Sequence, residues 1–355
     1  MKILLVKLSS LGDVVHTLPV VQDIRTALPE AEIDWVVEKS FAPLLARCSG
    51  LRRVIPCEIR RWRKSFWTGV TRQEWRAFMG ELQREAYDAV IDLQGLTKSA
   101  LVARLAVLAP GGKRYALANQ TEGSGYEAPT RWVADVAITV EPHIHAVQRS
   151  RELAARALGY IPKITPDFGL KSPESHDFWA QAAIKKIADS TSKGRVVLVH
   201  GTSRADKEWP LEHWITLGRR LGAAGYPVAL AHGNARELLT SQAIAHALNR
   251  TTADTVLVLP LLPLDALTEE LAQCAGVIGV DSGVSHIAVA LDLPHVQIYN
   301  FDTAWRTGPG IAGHGGRQVS VFAQPVPTVE TVWQAWLGCW SVSSPASAGS
   351  AGSAP

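Results

Sequence analysis

Short apolar runs alternate with stretches of helical periodicity in the first half of the chain. The apolar runs have the length of buried strands and cover residues 2–8, 33–37, 53–57, 88–92 and 113–117. After the first run, Val14, Leu18, Val21 and Ile24 recur at a spacing of about 3.6 residues, which places them on one face of a helix. Residues 96–108 are also rich in helix formers. The pattern predicts alternating strands and helices.

The second half of the chain repeats this alternation. It predicts strands at residues 195–200, 227–231, 255–259, 276–280 and 295–300. It predicts helices near residues 210–223, 234–247, 264–273 and 284–291. Strands that alternate with helices form βαβ units, in which the strands run parallel and the crossovers are right-handed. The sequence therefore predicts an α/β fold with two facing Rossmann-like domains, each built on a parallel sheet, and a cleft between them.

Changes in composition predict where these domains begin and end. A segment with three prolines and a polar run separates the two alternating halves, and the last residues are rich in Ser, Ala, Gly and Pro. The predicted order is a first Rossmann-like domain (1–160), an inter-domain segment (161–194), a second Rossmann-like domain (195–328), a C-terminal helix that packs back onto the protein (329–340) and a disordered tail (341–355).

The composition is that of an ordinary globular protein. The 355 residues are 47% hydrophobic and 19% charged, and they suffice for two domains that each have a core. The net charge of +3 does not favour nucleic acid as a partner. The four cysteines form no Cys-x-x-Cys pair, which favours a reducing compartment without structural zinc. No apolar stretch has the length of a signal peptide or a membrane span, so we expect a cytoplasmic protein.

Two turns that contain glycine and aspartate occupy matching places in the two halves. The first runs from Leu8 to Asp13 and the second from Gly279 to His286, each directly after an apolar run. Because the carboxyl ends of parallel strands face the ligand crevice, the turns predict a cleft with a carboxylate on each wall. Asp13 has two compatible interpretations, a helix cap and a general base that takes a proton from an attacking hydroxyl. A helix N-terminus would keep such a base ionised.

A hydroxyl-rich loop follows the first strand of the second half. The hydroxyls of Thr202 and Ser203, the backbone N–H groups of the loop and Lys207 are suited to hold a diphosphate. The sequence Lys-Glu-Trp-Pro then leads into a helix, since proline is favoured at its start. The loop lacks the spacing of a Walker A motif. The alternative is a solvated loop whose hydroxyls only cap the helix.

Two further turns of the second half carry acidic residues. Asp281 is placed to accept hydrogen bonds from sugar hydroxyls, while a diphosphate rests on the helix N-terminus behind it. The alternative is helix capping by Ser282 or Ser285. Glu237 lies where an acidic residue reaches a ribose in dinucleotide-binding folds, and a solvated glutamate in a first helical turn is the alternative.

A basic and aromatic run occupies residues 60–67, which read Arg-Arg-Trp-Arg-Lys-Ser-Phe-Trp. A run of charges usually forms a solvated face. The interleaved aromatic residues favour instead a site that meets phosphates or carboxylates beside an apolar or membrane surface. Arginine binds such anions through two parallel hydrogen bonds.

Taken together, these residues resemble glycosyltransferase family 9, the ADP-heptose:lipopolysaccharide heptosyltransferases, up to about residue 340. The matching segments are Lys7–Pro19, Arg60–Lys64, Asp92–Ser99, His145–Val147, Lys207–Pro210 and Val280–His286. The resemblance implies the GT-B fold and an inverting transfer of L-glycero-D-manno-heptose from ADP-heptose. It implies as acceptor the first Kdo sugar of Kdo2-lipid A, at the cytoplasmic face of the inner membrane of a Gram-negative bacterium. No cofactor and no metal ion is expected.

The resemblance also implies roles for individual residues. The first domain would bind the acceptor and the second ADP-heptose, with Asp13 as the general base. The implied donor-binding residues are Thr202, Ser203 and Lys207 at the diphosphate, Glu237 at the ribose, Asp281 at the heptose hydroxyls, and Ser282, Gly283 and His286 beside them. The implied acceptor-binding residues are Arg60, Arg61, Arg63, Lys64, Gln94 and Lys98.

The chain departs from the family pattern in a few places, and other functions stay open. Gly201 and Ser203 stand where alanine and threonine are familiar, and the glycine-rich loop Asn119–Tyr126 matches poorly. A sister enzyme that adds heptose to heptose is one alternative, although the cluster at residues 60–64 suits a carboxylate-rich Kdo acceptor better. A nicotinamide-dependent oxidoreductase or an epimerase is another, although no Gly-x-Gly-x-x-Gly follows a strand. A non-catalytic module that binds nucleotide sugar or lipopolysaccharide is the third.

Overall fold

The structure, a computed structural model, describes residues 1–65, 67–170, 194–250, 256–310 and 316–341. Its strands are β1 (Lys2–Val6), β2 (Glu32–Glu38), β3 (Leu51–Cys57), β4 (Ala86–Asp92), β5 (Val107–Leu117), β6 (Val136–Ile138), β7 (Val196–Val199), β8 (Val228–Leu230), β9 (Leu257–Val258), β10 (Gly276–Val280), β11 (His295–Tyr299) and β12 (Gln318–Phe322).

The helices alternate with these strands along the chain. They are α1 (Leu11–Ala27), α2 (Ala42–Ala46), α3 (Ile59–Ser65), α4 (Gly69–Leu82), α5 (Thr97–Leu105), α6 (Ala146–Leu158), α7 (Leu211–Ala223), α8 (Ala235–Asn249), α9 (Leu264–Ala272), α10 (Gly283–Ala290), α11 (Ala304–Thr307) and α12 (Val329–Ser341). None of these helices combines the length and the apolar character that a membrane span requires.

The strands form two six-stranded parallel sheets with the same internal order. The first sheet runs β3-β2-β1-β4-β5-β6, and the second runs β9-β8-β7-β10-β11-β12. In each sheet the order reverses between the first and fourth strands, and ligands of doubly wound folds bind at this reversal. The predicted α/β architecture is therefore confirmed. The loops after β1, β4, β7 and β10 are the ones that meet at the ligand crevice.

Helix α1 lies between the two halves of the protein. It packs against α6 of the first half and against α10 of the second. Its residues from Val14 to Leu18 and from Val20 to Val21 are buried on every side, and their apolar cluster continues into Ile287 and Ala288 of α10. The buried residues of α1 lie on all sides of the helix, because elements of both halves pack against it. This packing brings the N-termini of α1 and α10 together.

The predicted strands and helices all appear, with ends shifted by a few residues, but several elements were missed. Strands β6 and β12, at the outer edges of the sheets, were not predicted because they are short or half-exposed. Helices α2, α3, α4, α6 and α11 were not predicted either. In α3 and α4 the many charged side chains obscure a narrow apolar stripe that contains Trp62, Phe78 and Leu82.

The C-terminal helix was predicted, and the structure shows where it packs. Val332, Trp336 and Cys339 of α12 are fully buried against the second half, where the helix contacts α7, β11 and β12. Most of the predicted inter-domain segment, residues 171–193, and the tail from residue 342 lie outside the described residues. Residues 161–170 of that segment carry no helix, and their one strand-like contact is an isolated bridge from Leu170 to Cys48.

Candidate active site

A cavity of about 280 Å³ opens between the two halves at the carboxyl ends of β1, β4, β7 and β10. Asp13 lines it from the first half and Asp281 from the second, as the matching turns predicted. The predicted residues that line this cavity are Asp13, Gln94, Ser203, Lys207, Asp281, Ser282, Gly283 and His286. Its lining also includes four residues that were not predicted, which are Lys7, His16, Arg149 and Arg306.

Asp13 both caps helix α1 and faces the cavity cations. Its Oδ2 accepts hydrogen bonds from the backbone N–H of Ser10 at 3.1 Å and from the Ser10 hydroxyl at 2.9 Å. Its Oδ1 lies 3.5 Å from Lys7 Nζ and 3.5 Å from Arg149 Nη2. The two interpretations of Asp13 thus belong to two oxygens of one carboxylate. Oδ2 caps the helix and fixes the side chain, and Oδ1 is turned toward the cavity.

Two buried cations set the charge of this carboxylate. Lys7 directly follows β1, is buried, and donates a hydrogen bond to the Leu93 carbonyl oxygen at 2.9 Å. Burial lowers the pKa of Lys7 to about 8, and Asp13 opposes this effect. Burial also disfavours an ionised Asp13, but Lys7 and Arg149 outweigh it and hold the pKa of Asp13 well below its usual range. Asp13 is therefore a carboxylate at neutral pH.

Sequence reasoning missed both cations, although one of them leaves a signal. Lys7 directly follows four apolar residues of a strand, and a lysine at the crevice end of a buried strand is unusual enough to suggest a site. Arg149 lies on α6, which was not predicted. Its guanidinium donates to the Thr121 hydroxyl at 3.2 Å, and this contact ties α6 to the loop after β5.

Gln94 braces two of the loops that form the cavity. Its Oε1 accepts from the backbone N–H of Leu8 at 2.8 Å, and its Nε2 donates to the Ser9 carbonyl oxygen at 2.7 Å. The buried Asp92 holds the same turn through the backbone N–H groups of Gln94 and Gly95. Burial raises the pKa of Asp92 to about 6. The loops after β1 and β4 are therefore joined into one hydrogen-bonded unit.

Only part of the basic run reaches this unit. Arg60 Nη2 and Lys98 Nζ both donate to the Ser9 hydroxyl, at 3.0 Å and 2.7 Å. Arg61 instead pairs with Glu58 and Glu74. Arg63 and Lys64 are exposed on α3 and do not line the cavity. The structure thus brings Arg60, Gln94 and Lys98 together around Ser9, but of the six predicted acceptor residues only Gln94 lines the cavity.

The aromatic residues of the basic run do not all lie on an exposed surface. Trp62 is buried against Trp75 and Phe78, and its indole N–H donates to Glu74 at 2.9 Å. It anchors α3 on α4, because a buried indole needs a hydrogen-bond partner. Trp67 alone is strongly exposed, at 84%. Phe66 lies outside the described residues.

The opposite wall centres on Asp281. Lys207 Nζ donates to Asp281 Oδ2 at 2.5 Å, and His286 Nε2 lies 3.3 Å from Asp281 Oδ1. Burial opposes ionisation of this carboxylate, but His286 and Lys207 hold the pKa of Asp281 well below its usual range. The Thr202 hydroxyl donates to the Asp281 backbone carbonyl at 3.2 Å. The hydroxyl-rich loop that carries Thr202 and the turn that carries Asp281 are therefore joined.

Glycine allows the two walls to approach each other. A Cβ on Gly283 would lie 2.7 Å from Leu11 Cβ, and a Cβ on Gly12 would lie 2.8 Å from His286 Cδ2. Both distances are too short for real side-chain atoms. Ser282 caps α10 by accepting from the Ser285 backbone N–H. The N-termini of α1 and α10, each with a partial positive charge, therefore face the same cavity.

A second cavity of about 190 Å³ lies beside the first and is lined by Thr202, Glu237 and the aromatic residues Trp209 and Trp214. Glu237 accepts hydrogen bonds from the Gly233 backbone N–H and from the Asn234 side chain, both at 2.7 Å. Thr202 and Glu237 therefore line a neighbouring cavity rather than the central one. Most of the lining is polar, and its two indole rings together with the Glu237 carboxylate suit a nucleoside.

Three histidines form the inner end of the cleft. The His16 ring lies 4.2 Å from the His286 ring and 6.1 Å from the His145 ring. Burial lowers the pKa of His145 to about 4, and burial together with the neighbouring histidines lowers the pKa of His16 well below its ordinary value. Both are neutral at neutral pH. Within the described ranges, no group of three or more His, Cys, Asp or Glu side chains is arranged to hold a metal ion.

Comparisons with known proteins agree with this geometry. The family model of glycosyltransferase family 9 (heptosyltransferase) matches residues 75–329. Lipopolysaccharide heptosyltransferase 1 of Escherichia coli K12 is 36% identical over 327 residues, which are 92% of this chain and 94% of that protein. Lipopolysaccharide heptosyltransferase 1 of Pseudomonas aeruginosa is 37% identical over 325 residues, 89% of this chain and 82% of that protein. Lipooligosaccharide heptosyltransferase 2 of Haemophilus influenzae is 25% identical over 320 residues, 87% and 86% of the two chains.

Solved structures of heptosyltransferases are also similar to this chain. Escherichia coli heptosyltransferase WaaC with ADP superposes with a TM-score of 0.77 at 34% identity, covering 94% of this chain and 98% of that one. WaaC with ADP-2-deoxy-2-fluoro heptose superposes with a TM-score of 0.74 at 33% identity and the same coverage.

Proposed function

The chain belongs to glycosyltransferase family 9, and from this premise we propose that it transfers L-glycero-D-manno-heptose from ADP-heptose to the first Kdo of Kdo2-lipid A. The observation that carries the proposal is the pair of ionised carboxylates, Asp13 and Asp281, on opposite walls of one cavity. We favour this reaction over heptose addition to heptose because several relatives named heptosyltransferase 1 are 35–37% identical, whereas relatives named heptosyltransferase 2 are 25% identical. A more distant heptosyltransferase 1 is 24% identical.

The second half of the chain would bind the donor, ADP-heptose. The adenosine would occupy the cavity with Trp209, Trp214 and Glu237, and the heptose would meet Asp281 in the central cavity. The diphosphate would lie between them, near Lys207. This order fits the chain because Thr202 joins the two cavities through its hydrogen bond to Asp281.

Asp13 would act as the general base. Its Oδ1, the oxygen that lies beside Lys7 and Arg149, would accept the proton of the acceptor hydroxyl as that oxygen attacks the anomeric carbon of heptose. Direct displacement of ADP then inverts the configuration at this carbon. Lys7 and Arg149 keep Asp13 ionised and oriented, so the base is in its reactive form before substrate binds.

Charge on the leaving ADP would be stabilised without a metal ion. Lys207, the Thr202 and Ser203 hydroxyls and the positive N-terminus of α10 all lie on the donor side. Preorganised groups of this kind are what a developing diphosphate charge requires. We therefore include metal independence in the proposal. Activity that EDTA abolishes and magnesium restores would contradict it.

The acceptor is a lipid, and an exposed surface of the first half suits a membrane. Trp67 and Val70 are 84% and 64% exposed, and they lie next in sequence to the exposed Arg63 and Lys64. Aromatic and basic side chains together favour the interface of an anionic bilayer. We place the enzyme at the cytoplasmic face of the inner membrane of a Gram-negative bacterium, peripherally attached and without a nucleic-acid partner.

The test of this function is ADP release from ADP-heptose with two acceptors. One acceptor is deacylated Kdo2-lipid A, and the other is the same molecule already carrying the first heptose. Turnover with the Kdo-terminated acceptor alone is the expected result. Turnover with the heptosylated acceptor alone would assign the chain to the sister reaction. If neither acceptor led to ADP release, the proposal would be contradicted.

A further inference from the structure

Helix α11 of the second half reaches across the cleft to the acceptor-side loop of the first half. Arg306 Nη1 donates a hydrogen bond to the Gly123 carbonyl oxygen. The neighbouring Trp305 stacks on His143, with ring centroids 3.7 Å apart and an interplanar angle of 19°. His145 Nε2 donates to the Gly308 carbonyl oxygen at 3.0 Å. These three contacts hold Arg306, a residue of the second half, against the first-half loop, where it lines the cavity.

Arg306 differs from the other cations that line the cavity. Lys7 and Arg149 face Asp13, and Lys207 faces Asp281. Arg306 lines the same cavity, but it forms no ion pair with any carboxylate of the described residues. Its Nε is buried and has no hydrogen-bond partner there, and neither has the buried Nε of Arg149. A guanidinium that is held in a cavity with an unpaired N–H fits an anion supplied by a ligand.

The loop beneath Arg306 is shaped to admit it. A Cβ on Gly123 would lie 2.3 Å from Arg306 Nη1, and Gly123 has a φ of +65°. A side chain at this position would therefore be strained and would displace the guanidinium. The glycine-rich composition of residues 119–126, which matches the family poorly, thus has a physical consequence. It gives an arginine of the other half access to the acceptor side.

We propose that Arg306 binds a carboxylate of the acceptor sugar acid in the cavity that Arg149 and Asp13 also line. This inference rests on the proposed function, because it assumes that the anion belongs to Kdo. The geometry favours the acceptor over the donor diphosphate, since Arg306 contacts the first-half loop whereas Lys207 lies beside Asp281. A carboxylate is also a stronger partner for a guanidinium than the Gly123 carbonyl that it holds now. An acceptor would then be gripped by both halves at once.

The experiment compares two acceptors in wild-type protein and the Arg306→Gln variant. The acceptors are deacylated Kdo2-lipid A and its methyl ester, in which the carboxylates are neutral. We expect Arg306→Gln to raise the KM of the native acceptor by about tenfold and to leave the KM of ADP-heptose within about twofold. The penalty for esterification should shrink by about the same tenfold factor, since each change removes the same contact. Arg306→Lys, which keeps the charge, should restore part of the native KM.

Matched controls separate binding from a purely structural effect. Arg220→Gln removes an arginine of α7 that pairs with Glu330 away from the cavity, and it should change neither KM. A rise in KM by the same factor for both acceptors would show that Arg306 only supports the loop and would overturn the proposal. A raised ADP-heptose KM with an unchanged acceptor KM would assign the anion to the diphosphate and would also overturn it.

Calorimetric titration of both acceptors keeps this result separate from the proposed function. Absence of turnover in the wild-type protein would contradict the heptosyl transfer itself. Binding of the native acceptor would still differ from binding of the ester, and Arg306→Gln would still remove that difference if the inference is right. Equal binding of the acid and the ester by wild-type protein would overturn it.

Discussion

Asp13→Asn separates the two roles that the structure gives to this residue. The asparagine side-chain oxygen can still accept the hydrogen bond of the Ser10 N–H, so the helix cap is retained. The substitution removes the negative charge opposite Lys7 and Arg149 and the group that accepts the proton. Loss of a general base typically lowers kcat by about 10²- to 10⁴-fold, which corresponds to about 3–5 kcal/mol in the activation barrier.

The effect on stability should be smaller than the effect on rate. Two charges 3.5 Å apart interact by about 5 kcal/mol at an effective dielectric constant of about 20. The Asp13 side chain is 37% exposed, and solvent screening reduces the net contribution to about 1–2 kcal/mol. Lys7 limits the loss further, because its pKa of about 8 would fall without Asp13 and let it become neutral. We therefore expect a folded protein with a modestly lower melting temperature.

The assay is single-turnover ADP release together with thermal unfolding of the same samples. The matched control is Asp23→Asn on the same helix, which breaks a buried ion pair with Arg151 whose N–O distance is 2.6 Å. The control should lose about 3–5 kcal/mol of unfolding free energy and keep its kcat at a temperature where it is folded. A kcat for Asp13→Asn within about threefold of wild type would refute the assignment of Asp13 as the base.

Four further perturbations have expected outcomes. Lys207→Ala should raise the ADP-heptose KM and lower kcat by about tenfold or more in steady-state assays, since Asp281 loses its closest cation. An unchanged KM for ADP-heptose would show that Lys207 does not bind the donor. Gly283→Ala should cost about 1–3 kcal/mol in unfolding free energy and lower kcat/KM, because its Cβ meets Leu11. Gly80→Ala, in open space on α4, should instead be stabilising by about 0.5–1 kcal/mol in the same denaturation assay. The free energy of unfolding should fall as pH is lowered from about 6.5 to 4. Burial lowers the pKa of three histidines to about 4 in the folded protein, so that only the unfolded chain takes up protons on them in this range; they are His145, His200 and His295. Chemical denaturation that finds constant stability over this range would contradict their burial.

The parts of the site that the sequence predicted are those fixed by local backbone geometry. Asp13 and Asp281 each follow a strand and begin a helix, so the positions of both are set within a few residues of chain. The shared strand order then brings the two turns to one crevice. Periodicity and turn chemistry therefore sufficed to predict an α/β protein with a carboxylate on each wall.

The parts that the sequence did not predict depend on contacts between distant elements. Arg149 enters the site from α6, and Arg306 enters it from the other half of the chain. Arg61 lies within a basic run, yet two glutamates hold it outside the cavity. Charge composition alone does not show which cation of a run has a carboxylate beside it. That distinction requires the fold.

If both walls of this cavity act on one sugar transfer, the product of the reaction must show it. Purified protein would be incubated with ADP-heptose and deacylated Kdo2-lipid A, and the product analysed by mass spectrometry and by NMR of the new glycosidic bond. We expect a product heavier by one heptose residue, joined to the first Kdo with the anomeric configuration inverted from the donor. A product with retained configuration, or heptose attached elsewhere, would contradict it.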